Sequence, residues 1–199
     1  MKMLYIILIL LIISGVIFFL NSKKAQANTT DPLPDQVIEA PVVRQVQENH
    51  YEGLRNMAFS VTPEQLGLEP SSDELHVYGI IMDWEMNGAI VTTVGFETGD
   101  ASLYLSTGGG VIGGGKHENV QHACKGLIAL AQKHIDRTTS TSSTPLPVHQ
   151  EVIFYFLTSQ GKYSAKESMK NFEDRTSQWL PLFEEVNKVI TGLRQSSGG

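Results

Sequence analysis

Leu75 to Ser106 reads L-H-V-Y-G-I-I-M-D-W-E-M-N-G-A-I-V-T-T-V-G-F-E-T-G-D-A-S-L-Y-L-S. Asn87-Gly88 is the strongest short hairpin signal, because both residues tolerate the positive φ of a type I′ turn. It separates Leu75–Trp84 from Ala89–Glu97, two β-prone runs. Thr98-Gly99-Asp100 turns the chain again into Ala101–Ser106, where Ser102, Tyr104 and Ser106 alternate with Leu103 and Leu105. Three strands joined by tight turns predict an antiparallel meander.

Helical spacing flanks this core. Upstream, Val43, Val46, Leu54 and Met57 predict a helix over 42–59, and Thr62-Pro63-Glu64-Gln65 predicts a cap and a short turn. Downstream, Val120, Cys124, Leu127, Ile128, Ala131 and Ile135 form one apolar stripe of a helix over 118–135. Thr138–Pro147 reads as a loop, Glu151–Thr158 as a strand, Ser159-Gln160-Gly161 as a turn, and Lys162–Ala165 as a further strand. Leu182, Val186, Val189, Ile190 and Leu193 predict a closing helix over 182–193. The order α-β-β-β-α-β-β-α implies an α+β fold: a five-stranded, meander-type antiparallel sheet with helices packed on a face.

The N-terminus carries a different signal. Met3–Leu20 is an uncharged run of eighteen residues. As a helix it would span about 27 Å, close to a bilayer's hydrocarbon core. Residues 1–27 are therefore expected to be a retained transmembrane anchor or uncleaved signal. Ala25-Gln26-Ala27 has the form of a cleavage site, so export after Ala27 is the alternative. Lys2 at one end and Lys23-Lys24 at the other leave the side of the body open, with the cytoplasm favoured. Residues 28–41, with Pro32, Pro34 and Pro41, read as a linker; 42–195 as a single domain; 196–199 as a flexible tail.

The chain has 15 basic and 21 acidic side chains, a net charge of −6. The only charges before Asn28 are three lysines, so the body is more acidic than the whole. A body of this charge repels phosphate backbones, and no nucleic-acid partner is expected. The single Cys124 excludes an internal disulfide and a cysteine-based zinc cluster, and its apolar neighbours suit a buried side chain rather than a nucleophile.

Gly108 to Gly115 holds six glycines in eight positions. A run this dense needs either a backbone turning through positive φ or a close approach by another group. Gly108, Gly110 and Gly113 satisfy G-x-G-x-x-G, and Gly110, Gly115 and Lys116 satisfy G-x-x-x-x-G-K; a run so rich in glycine matches both almost automatically. A phosphate loop would need a hydroxyl after the lysine, where His117 stands, and a parallel sheet. Two readings remain. In one the glycines form a bulged hairpin or tight crossing. In the other Gly108, Gly109, Gly110, Gly113, Gly114, Gly115, Lys116 and His117 bind an anion or small ligand.

Elsewhere, His117 and His122 are spaced one residue too far apart for a zinc-protease helix. His122 and His134 read as polar-face residues, and His76 and His149 lack ligand partners at useful spacing. Asp83 reads as a strand-end residue. Ser102, Ser106 and Thr107 lack an activating elbow, so no catalytic set, metal or cofactor is expected. Trp84 and Met86 beside the hairpin tip, and Tyr104 on the third strand, are candidate partner contacts.

The run Gly99-Asp100-Ala101-Ser102-Leu103-Tyr104-Leu105-Ser106, continuing Gly108-Gly109-Gly110-Val111-Ile112-Gly113, resembles a pattern in uncharacterised bacterial proteins. The likeness covers about residues 75–158. It implies a common fold and carries no activity with it. The expected function is a membrane-tethered, non-enzymatic module that binds a protein partner or itself; the alternative is a small-ligand or anion sensor.

Overall fold

A computed structural model describes residues 50–70 and 73–197. The expected anchor, the linker and the first part of the upstream helix lie outside these residues. Among the described residues no helix is long and apolar enough to cross a membrane.

Strands β1 (Val77–Met86) and β2 (Ala89–Phe96) meet at Asn87 and Gly88, whose φ angles of 52° and 86° are those the hairpin signal requires. Strand β3 (Ala101–Leu105) follows the second turn, where the Phe96 amide donates to the Asp100 carbonyl. Two additions follow, β4 (Gly110–Ile112) and β5 (Thr139–Thr141), and β7 (Gly161–Ser168), beside β6 (Glu151–Thr158), is longer than expected. The sheet thus has seven strands, not five, in the order β4-β3-β2-β1-β6-β7-β5, with every neighbouring pair antiparallel. Both extra strands are three-residue edges, one masked by glycines and one by a Ser/Thr run. Strand β7 continues past Ala165 because Lys166, Glu167 and Ser168 pair with Ile153, Val152 and Glu151, and Lys166 also bridges Glu151 at 2.8 Å.

Helix α1 (His50–Ser60) precedes the sheet, α2 (Glu118–His134) links β4 to β5, and α3 (Met169–Glu173) and α4 (Leu180–Ser197) close the chain. Helix α4 starts earlier than the apolar stripe because Pro181 sits in its first turn, where a missing N–H costs nothing. It also takes in Ser196 and Ser197, which were expected in a loose tail.

The helices divide between the two faces rather than sharing one. Alternate residues of β1 separate Ile80, Met82 and Trp84 from Ile81 and Asp83. On the first face, Trp84 meets Phe183 of α4 edge-on at 5.4 Å, and Phe154 and Phe156 approach Trp179. Phe172 of α3 stacks on Phe183 at 4.5 Å. On the second face Ile81, Val94, Ile153, Tyr155 and Leu157 join Tyr51 and Ala58 of α1 in another buried cluster.

Candidate functional site

The glycine segment is the third hairpin of the meander and its outer edge. The Gly108 amide donates to the Leu105 carbonyl and the Leu105 amide donates to the Gly109 carbonyl, which closes the turn. Gly108, Gly109 and Gly113 have φ of 98°, 86° and 80°, the left-handed region that favours glycine. At Gly110 a side chain would strike the Leu103 carbonyl of the adjacent strand, and at Gly114 it would strike Leu193 of α4. The segment therefore has architectural reasons for its composition at both its turn and its crossing.

This edge exposes an uncharged, partly apolar strip. Register pairs Ser102 with Ile112, Leu103 with Val111 and Tyr104 with Gly110. Leu105 spends its polar groups on the turn, so Leu103, two residues earlier, turns its own toward Val111. By the same alternation Gly110 and Ile112 point their N–H and C=O groups outward, away from β3. Ile112 is 66% exposed. Lys116 and His117 follow, both exposed, at the entry to α2. His117 occupies the N-cap position and makes no side-chain cap bond.

Of the three residues expected to contact a partner, only Met86 is partly accessible. In place of an exposed anchor, Trp84 is a core residue, 4% exposed, because α4 returns over the hairpin and lays Phe183 against it. Tyr104 is likewise buried, in the cluster on the α1 face.

A polar cluster on that face was not legible from any motif. Asp83 lies inside β1, not at its end, and is 0% exposed. One carboxylate oxygen accepts Nε of Arg55 at 3.0 Å together with a terminal guanidinium nitrogen; the other accepts the Thr92 hydroxyl at 2.5 Å. Tyr51 in turn bonds Thr92 Oγ1 at 2.8 Å. Arg55 also donates to the Thr144 carbonyl at 2.9 Å, and Tyr155 donates to the Pro145 carbonyl. The guanidinium lies 4.7 Å from the Phe59 ring centre. Two spacings carried the clue: Tyr51, Arg55 and Phe59 recur every four residues on α1, and Asp83 shares its strand face with Ile81.

Burial pushes the Asp83 carboxyl above its ordinary range, with Arg55 and Thr92 pulling against it. Tyr51 and Tyr155 are both raised to about 12, chiefly by burial, with the Asp83 charge adding to each. Both Asp83 oxygens are taken, and each hydroxyl has a partner. The cluster holds α1 and the 142–150 strap to the sheet, and it presents no reactive atom to solvent.

A shallow groove of about 350 Å³ lies beside α2, lined by His76, Glu97, Lys125, Ile128 and Gln132 among others. His76 Nε2 and Glu97 are 2.6 Å apart, and Gln132 is committed to the backbone of Val77 and Leu75. Among the described residues no three His, Cys, Asp or Glu side chains are grouped to hold a metal. No family model, curated protein or solved structure matches this chain.

Proposed function

We propose that the chain is a membrane-tethered, non-enzymatic assembly module that engages protein through the β4 edge, which no other strand among the described residues pairs with on its outer side. The tether is the Met3–Leu20 segment. The observation that carries the reading is Ile112, 66% exposed on an outermost strand. Sheet edges not meant for pairing are blunted by shortness, charge, proline or a covering element, and β4 has the first of these, at three residues. Gly110-Val111-Ile112 carries neither charge nor proline. Edge addition draws affinity from backbone hydrogen bonds and specificity from alternate side chains, and this strip supplies both. The stretch Gly99 to Gly113, which resembles a pattern in uncharacterised bacterial proteins, covers this hairpin.

The test is a photo-crosslinking side chain at position 112 of the full chain in its membranes, with the same probe at Thr139 on the opposite edge. A discrete protein adduct at 112, absent at 139 and abolished by Ile112→Pro in a second probe position, is the expected result. Proline at 112 removes an outward N–H and leaves the β3 pairing intact. Identical labelling from both edges, or none, would sink the reading.

The second reading, a small-ligand or anion sensor, draws on exposed Lys116 and His117 at the start of the seventeen-residue α2. It requires a melting-point rise with phosphate or a nucleotide that Lys116→Ala removes.

A further inference from the structure

We infer that the occupant of the β4 edge is the β4 edge of a second copy, related by a two-fold axis through Val111. This rests on the assembly reading above and goes further by naming the partner.

The strand is self-complementary about its middle residue. Gly110 and Ile112 flank Val111 symmetrically, and both turn their polar backbone groups outward. An antiparallel neighbour centred on Val111 sets each Gly110 opposite the other copy's Ile112. The outward N–H and C=O groups of both residues then find partners, four hydrogen bonds in all by the antiparallel pattern. Opposed residues share a sheet face. Each exposed Ile112 would thus lie over a residue with no side chain, with Tyr104 one strand further in. On the other face Val111 meets its symmetry mate, beside the α4 helices that reach β4.

Charge and closure favour the same pairing. The chain is acidic overall, yet Gly108 to Gly115 contains no charged residue, so two copies can meet here without like charges opposed. Pairing β4 with β5 of another copy would be heterologous and leave an open-ended array, whereas β4 with β4 closes as a dimer. Strand β5, Thr139-Ser140-Thr141, offers only hydroxyl side chains and stays at the outer ends of the joined sheet.

Opposed residues of the non-bonded type lie about 4.5 Å apart at Cα, within disulfide reach. In full chain carrying Cys124→Ala, Val111→Cys is expected to form a disulfide-linked species of twice the chain mass in membranes under mild oxidation. Leu146→Cys, exposed elsewhere, remains monomeric. Adding Ile112→Lys lowers the dimer yield roughly tenfold or more, while the melting curve of each variant reports that the fold is kept. Adducts of another mass from the position-112 probe, with no dimer at Val111→Cys, would overturn self-pairing and leave the edge reading standing. Absence of product from both probes would remove both.

Discussion

The two faces of this sheet are held by opposite means. Under α3 and α4 the contact is apolar and aromatic, with Trp84, Phe154, Phe156, Phe172, Trp179 and Phe183 packed ring against ring. Under α1 the centre of the contact is an ion pair, Arg55 on Asp83, wrapped by tyrosines and Phe59. The first face tolerates loss in proportion to volume. The second depends on completeness, because a buried charge that loses its partner is worse than no charge at all.

The sharpest way to break the comparison is Asp83→Ala. It strands the Arg55 guanidinium, and the expected loss is about 3–5 kcal/mol in denaturant unfolding. Pairing Asp83→Leu with Arg55→Met should recover most of that loss. If the double variant were no better than the single, the contact would not be governed by charge.

Alkaline titration comes next and acts on the α1 face through Tyr51 and Tyr155. Their folded pKa values, about 12, lie above the ordinary 10.0, so the unfolded chain ionises first. Stability is full below about pH 10 and is lost as pH rises through about 12, on the order of 2–3 kcal/mol for each phenol. Melting curves across that window, repeated with Tyr51→Phe and Tyr155→Phe, should show the slope flatten.

On the opposite side Gly114→Ala presses a methyl on Leu193 and Val120. Leu193 is fully buried and must shift to make room, so the expected cost is about 1–3 kcal/mol. The smallest effect is Tyr51→Phe at neutral pH, about 1 kcal/mol, since it removes one hydrogen bond and leaves the ion pair whole. A larger loss from Tyr51→Phe than from Gly114→Ala would show that the polar cluster depends on its hydroxyls and not on the ion pair alone.

The central meander was legible because its turns depend on local chemistry. Asn87-Gly88 and Gly99 must be where they are for any chain of this pattern to reverse. Helices α2 and α4 were legible from their stripes to within a few residues. Strands β4 and β5 were not, since three-residue edges made of glycine, serine and threonine carry no periodicity. The burial of Trp84 was hidden for another reason: its cover, Phe183, arrives about a hundred residues later in the chain. The Arg55–Asp83 pair was only half visible, for the spacing of Tyr51, Arg55 and Phe59 marks a helix face but not the strand that face meets. The glycine segment stands out by composition, but its pairing with β3 as a short strand is set by contacts that composition does not carry.

The protein's one thiol has a practical corollary. Cys124 is 0% exposed on the inner side of α2, and burial raises it to about 12. A maleimide dye can reach it only when α2 lifts from the sheet, so labelling speed serves as a stopwatch for that opening without any engineered probe.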